Sequence, residues 1–375
     1  TFLLELVFGI PRGLRLAIYF AVITGGLGML AFAKRLRLSV WAGLLAALVY
    51  MFSTVNLLEI VEGHVNIFAA MWLPWLWWGW LGAYRNPTRW RILLVGLFFA
   101  LTFLQAGIYL LVYTFLALGL VILLCKQKLR ALKITTLAGL CALGIVAIKL
   151  VPVLFWLHQF PRQTYATSTF SLPWLADILF GRHLHGAYII FRQRSGWHEY
   201  GAYIGYIVFG LSLLGLTQIK KRRTVALLGV IGMMALLLAT LGPALDQTFN
   251  FLWFIPRSDI SRIIILTVIS LALLAGFGLD ALRQRVRSPL VPILLIGFVA
   301  VDLLSLAYPA SLQAFILPSV YPAPTSPPPP IAYTVNTFDY LATDIHQTRT
   351  YEATKVGWGS LFHCSVLGPK PAIIP

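Results

Sequence analysis

Between residues 13 and 309, stretches of roughly twenty apolar, uncharged residues recur, each ended by a charged cluster or by Gly and Pro. A helix rising about 1.5 Å per residue needs about that length to cross a hydrocarbon core roughly 30 Å thick. Ten such segments lie near 13–33, 38–58, 66–84, 91–105, 108–125, 134–156, 202–219, 224–241, 262–282 and 289–309. They predict an all-α polytopic integral membrane protein with about ten transmembrane helices. Residues 92–124 carry no charge, which is too long for one span and short for two. The polar residue and glycine of Gln105-Ala106-Gly107 place a turn there. Composition agrees: 59% of the 375 residues are hydrophobic and 11% charged, against about a quarter charged in soluble domains. So apolar a chain is also outside the disordered class.

The 29 Lys and Arg outnumber the 12 Asp and Glu, for a net charge of +17. These cations do not form a phosphate-tracking face, so no nucleic-acid partner is expected. They gather in alternate loops: Lys34, Arg35 and Arg37; Arg85, Arg89 and Arg91; Lys126, Lys128, Arg130 and Lys133; Lys220 to Arg223; and Arg283, Arg285 and Arg287. Short loops rich in Lys and Arg stay cytoplasmic. The expected location is therefore the cytoplasmic (inner) membrane, with 59–65, 157–201, 242–261 and the C-terminal tail extracytoplasmic. Residues 1–309 form the membrane domain, and 310–330, with its run of prolines ending at Pro330, reads as an extended linker. Residues 331–375 are then the start of an extracytoplasmic soluble domain. Three scattered cysteines make neither a disulfide framework nor a cysteine metal site. All seven histidines fall in loops or the tail, which argues against a haem core.

The outer loops hold the candidate chemistry. Glu59, Glu62 and His64 put two carboxylates and an imidazole within one helical turn of a membrane surface. That set can bind a divalent metal ion or act as general base, or it can simply mark a span end. Arg162 belongs to a long outer loop rich in arginine, and Arg257 and Arg262 flank the start of the ninth span. Guanidiniums grip phosphate oxygens in bidentate fashion, although headgroup contact or an Asp259-bridged turn accounts for them equally. Lys149 either snorkels to the interface or faces a substrate phosphate. Asp302 is the other clear charge within a span. The tryptophans of 72–80 read chiefly as an interfacial belt with lipid-facing bulk.

Five stretches, in order, resemble the YfhO family of multispanning envelope proteins: Leu38–Trp80 with its GHVNIFAAMWLPWLWWGW, AIKLVPVLFWLHQFPR at 147–162, GAYIGYIVFGLSLLGL at 201–216, LWFIPRSDISRIII at 252–265 and LALLAGFGLDALR at 271–283. Asp302, on the last span before an outer domain, fits as well. That family is similar to GT-C-type glycosyltransferases, which move a sugar from a polyprenyl-phosphate carrier to an acceptor outside the membrane. The resemblance implies a GT-C-like fold, a polyprenyl-phosphate-linked sugar and membrane lipids as partners, and transferase activity. It implies that the main catalytic carboxylate follows a helix N-terminal to residue 1, leaving only Glu5 nearby. On this reading Glu59, Glu62 and His64 contribute to the polar site and Arg257 and Arg262 hold the carrier phosphate. Lys149 and Arg162 are secondary candidates. Two rivals stand: a non-catalytic membrane scaffold or complex subunit of the same fold, and a lipid or polymer transporter.

Overall fold

A computed structural model of the chain describes residues 2–61, 64–159, 172–182, 200–248 and 260–312. All of them belong to one compact unit, Thr1–Val320. Most of the expected linker and all of the expected outer domain lie outside the described residues, as do Glu62, Arg162 and Arg257.

The described residues form helices and turns, with no strand among them. The order is α1 (Phe2–Phe8), α2 (Ile10–Arg35), α3 (Val40–Phe52), α4 (Thr54–Val61), a 3₁₀ stretch (Val65–Met71), α5 (Trp72–Arg85), α6 (Arg89–Leu104), α7 (Ile108–Leu124) and α8 (Lys128–Gln159). After a 3₁₀ turn (Leu172–Trp174) come α9 (Leu175–Phe180), α10 (Tyr206–Leu216), α11 (Arg223–Thr248), a 3₁₀ turn (Ile260–Ile263), α12 (Ile264–Val286) and α13 (Leu290–Leu312). Each of the ten apolar segments contains a helix. Six reach the length and hydropathy needed to cross a bilayer: Arg12–Arg35, Val40–Ile60, Lys128–Trp156, Arg223–Leu241, Ile260–Val286 and Leu290–Tyr308. The protein is thus a multi-pass α-helical membrane protein.

Local chemistry sets the boundaries. The end of α6 is a Schellman turn: Gly107 N–H donates to Thr102 O and Ala106 N–H to Phe103 O, with Ala106 in the left-handed region at φ 64°. That turn separates α6 from α7 at the three residues named from sequence. The third segment begins as 3₁₀ rather than α-helix. α10 begins four residues later than the pattern suggested. Residues 200–205 run extended, with Ala202 N–H donating to Ile178 O (3.0 Å) and Ile204 N–H to Leu179 O (3.1 Å). At the far end α13 continues three residues past 309, into the expected linker.

α12 is the central helix, with 89% of its most apolar window buried, against 17% for α8 on the periphery. It packs on α3, α10 and α11. The contact with α10 is backbone to backbone: a Cβ on Gly215 would strike Leu274 O, and one on Gly278 would strike Leu211 O. Small residues at such crossings let helices close where no water drives them together. The tryptophans of α5 pack inward instead of forming a lipid-facing belt, Trp77 and Trp80 being buried. The indoles of Trp72, Trp75 and Trp80 donate to Gln105 Oε1, Thr24 O and Thr135 Oγ1, each at 2.9 Å. An indole N–H without an acceptor is costly in an apolar interior, so five clustered tryptophans find either partners or the interface.

The basic loops meet at one end of the bundle. Arg85 donates to Arg35 O (2.8 Å), Arg130 to Arg85 O (3.0 Å) and Arg223 to Leu124 O. Asp280, near the end of α12, accepts from Ser39 N–H (3.0 Å) and Oγ–H (2.5 Å) at the start of α3.

Gly278→Val should separate α10 from α12 and lower stability by roughly 3 kcal/mol or more, the scale of overpacking. Gly210→Val on the open face of α10, where nothing lies within 4 Å, should change it far less. Thermal melting of both variants in detergent reads the difference; equal melting points would refute the close crossing.

Candidate functional site

At the opposite end of the bundle, two stretches distant in sequence bring one carboxylate, one imidazole and one guanidinium together. Glu59 is in the last turn of α4, with its side chain 2% exposed. His64 follows the α4 end, and its backbone N–H donates to Glu59 O (2.9 Å), which folds the imidazole back over the carboxylate. His64 Nδ1 lies 2.5 Å from Glu59 Oε2. Arg262 stands in the 3₁₀ turn that leads into α12, and its Nε is 3.1 Å from Glu59 Oε1. The same guanidinium lies 5.3 Å above the ring of Tyr109, from the first turn of α7.

Geometry fixes the roles. A carboxylate 2.5 Å from Nδ1 takes that nitrogen as a donor, so Nε2 carries the lone pair in the neutral ring. The 3.5 Å separation of Arg262 Nη2 from the same Nδ1 is then a contact between two donors, held by their common carboxylate. Glu59 thereby orients the ring as the third group of a catalytic triad does. His64 is 37% exposed at its side chain, so the outer part of the dyad reaches solvent while the carboxylate does not. Glu59, Arg262, Tyr109 and Gly201 line a small hollow with room for about one water molecule; Val55, Ile67, Leu110 and Ile265 supply the apolar wall.

Of the expected metal-binding set, Glu59 and His64 are described and Glu62 lies outside the described residues. Among the described residues no three His, Cys, Asp or Glu side chains converge. Arg262 already places a positive charge on Glu59 where a metal would sit.

The other sequence candidates lie elsewhere or outside the described residues. Lys149 donates to Leu104 O (2.7 Å), capping the end of α6. Glu5 is on α1, which packs along α2 and does not line the hollow. Asp302 belongs to a second polar cluster. It accepts from Arg182 Nη1 (2.6 Å) and from Tyr203 Oη (2.8 Å), while Arg182 Nη2 donates to Ser305 Oγ (2.6 Å). Tyr203 N–H also donates to Thr54 Oγ1 (2.7 Å). The extended 200–205 stretch thus runs from Gly201 at the Glu59 hollow to Tyr203 at Asp302. Tyr109 and Tyr203 were not legible as site residues, since a tyrosine in an apolar run carries no positional signal.

Arg262→Ala should leave the Glu59 carboxylate buried without its cation, a cost of about 3–5 kcal/mol. Glu59→Gln combined with Arg262→Gln should recover much of that loss. Denaturation of the single and double variants measures the coupling; an Arg262→Ala protein as stable as wild type would remove the buried pair from the account.

A scan against models of known protein families gave no match to this chain, and neither did searches of curated proteins and of solved structures.

Proposed function

We propose that the protein is a GT-C-like membrane glycosyltransferase that passes a sugar from a polyprenyl-phosphate donor to an acceptor hydroxyl on the extracytoplasmic side. The observation that carries this reading is the Glu59–His64–Arg262 convergence at the end of the bundle away from the basic loops. His64 Nε2, with its tautomer set by Glu59, accepts the proton of the attacking hydroxyl as the new glycosidic bond forms. The bond from the anomeric carbon to the carrier phosphate breaks, and the leaving phosphate carries away its electron pair. Arg262 supplies positive charge near that phosphate. The basic end faces the cytoplasm under the positive-inside rule.

One feature favours the rival reading, a non-catalytic subunit of the same architecture. The Glu59–Arg262 pair is nearly neutral within itself, and most of the hollow's wall is apolar, which also suits a purely structural tie.

The two readings separate on His64. His64→Gln keeps a polar, half-exposed side chain, so folding should survive. Sugar transfer from a lipid-linked donor should fall about 10²-fold or more, the usual share of a general base. A His64→Gln protein that turns over like wild type would favour the structural reading. Orientation is checked in a background without native cysteines. His64→Cys should react with a membrane-impermeant maleimide added outside the cell, and Lys221→Cys only after permeabilisation; the reverse pattern would invert the topology.

A further inference from the structure

The basic end of the bundle holds a concentration of charge that the fold does not balance. Arg35 closes α2, and its Nη1 donates to Trp78 O (2.5 Å) with the guanidinium 4.1 Å from the Trp78 ring centre. Its charge lies within electrostatic range of Arg91 and Arg85. Arg91 Nη1 donates to Asn86 O (3.1 Å), beyond the end of α5. Arg85 and Arg130 complete the group through Arg35 O and Arg85 O. Gly82 is what admits Arg35 here, since a Cβ at that position would collide with its Nη1.

Helix capping accounts for part of this. The C-termini of α2 and α5 each carry about half a negative charge. Against four guanidiniums, that leaves about three units of positive charge. Among the described residues no carboxylate forms an ion pair with any of the four. Each guanidinium has five N–H donors, and the hydrogen bonds to protein groups engage only one or two of its nitrogens. Like charges gathered in this way repel one another unless an anion lies among them.

The surroundings indicate which anion. Trp90 is 69% exposed at the start of α6, next in sequence to Arg91 and with Arg89 over its ring at 5.4 Å. An exposed indole beside arginines at a helix end marks headgroup depth. We infer that Arg35, Arg85, Arg91 and Arg130 form a binding site for the phosphate of an anionic phospholipid in the leaflet that the basic loops face. The guanidinium forks fit phosphate oxygens bidentately, and the acyl chains continue into the bilayer beside Trp90. The inference does not depend on the proposed glycosyl transfer or on which leaflet is cytoplasmic.

Native mass spectrometry of the full chain, released from nanodiscs holding equal phosphatidylglycerol and phosphatidylcholine, tests it. Wild type should retain phosphatidylglycerol selectively, and added inorganic phosphate should not displace it. Arg85→Gln with Arg91→Gln should weaken that retention roughly tenfold or more, given the worth of each cation near an anionic surface. Lys220→Gln with Lys221→Gln removes as much charge from exposed positions on the same end and should leave retention nearly intact. Equal loss in both pairs would reduce the effect to general surface attraction and overturn the site. So would equal retention of the two lipids by wild type, or displacement by free phosphate. Should the arginine pair prevent folding, Arg91→Lys keeps the charge and removes the fork, and unchanged retention there would overturn the bidentate site.

Discussion

α12 is held against the α3–α4 span by a charged contact at each end. Near its start Arg262 reaches Glu59, and near its finish Asp280 reaches Ser39. The two partners are about twenty residues apart on α3–α4, and the two anchors about eighteen apart on α12. At about 1.5 Å per residue both distances come close to the roughly 30 Å of a hydrocarbon core. Two antiparallel helices are thus tied at both ends over about the thickness of a hydrocarbon core, with mostly apolar side chains between. The bilayer core explains why the ties sit at the ends. It offers no water to a stray polar group, so charge is placed where a partner or the interface can meet it.

Much else depends on this pair. α10 and α11 pack on α12, and α2 and α13 pack on α3. The close approach at Gly215 and Gly278 is possible because α12 presents a continuous buried surface on which a neighbour can settle. Asp280 also has a local task. Its carboxylate at the N-terminus of α3 meets the helix dipole and the Ser39 N–H, while Ser39 Oγ accepts from Ala42 N–H at 3.2 Å.

The sequence foretold the helices better than it foretold what they hold. Apolar runs of bilayer length are a direct imprint of the solvent, and the Gln105–Gly107 turn could be placed because an unbroken run of that size has to bend. The start of α10 escaped because the 200–205 stretch is nearly as apolar as the helix after it. Its extended form depends on carbonyls of α9 and on Thr54, which no local pattern reveals. The inward tryptophans escaped for a related reason: composition cannot tell an indole at the headgroups from one whose N–H has found Thr24 O. Glu59, His64 and Arg262 were each nameable as polar residues at span ends. The family resemblance put them in one site, but their direct contact was not foreseeable, because His64 and Arg262 are 198 positions apart and only the packing of α12 on α3–α4 joins them. Lys149 shows the converse. A lone lysine in a span suggested a ligand or a snorkel, and no local pattern revealed that it donates to Leu104 O at the end of α6.

On the proposed glycosyl-transfer reading, burial separates the roles within the polar triplet. Glu59 is almost wholly enclosed and already shared between an imidazole and a guanidinium, so using it directly as a base would break the tie that seats α12. His64 stands at the same carboxylate but keeps more than a third of its side chain exposed. A proton taken at Nε2 leaves Nδ1–H on Glu59 and the Glu59–Arg262 contact in place. The arrangement therefore permits proton transfer at its outer edge without disturbing the interaction on which the helices depend. A role for Glu59 itself as base would require α4 and α12 to separate first.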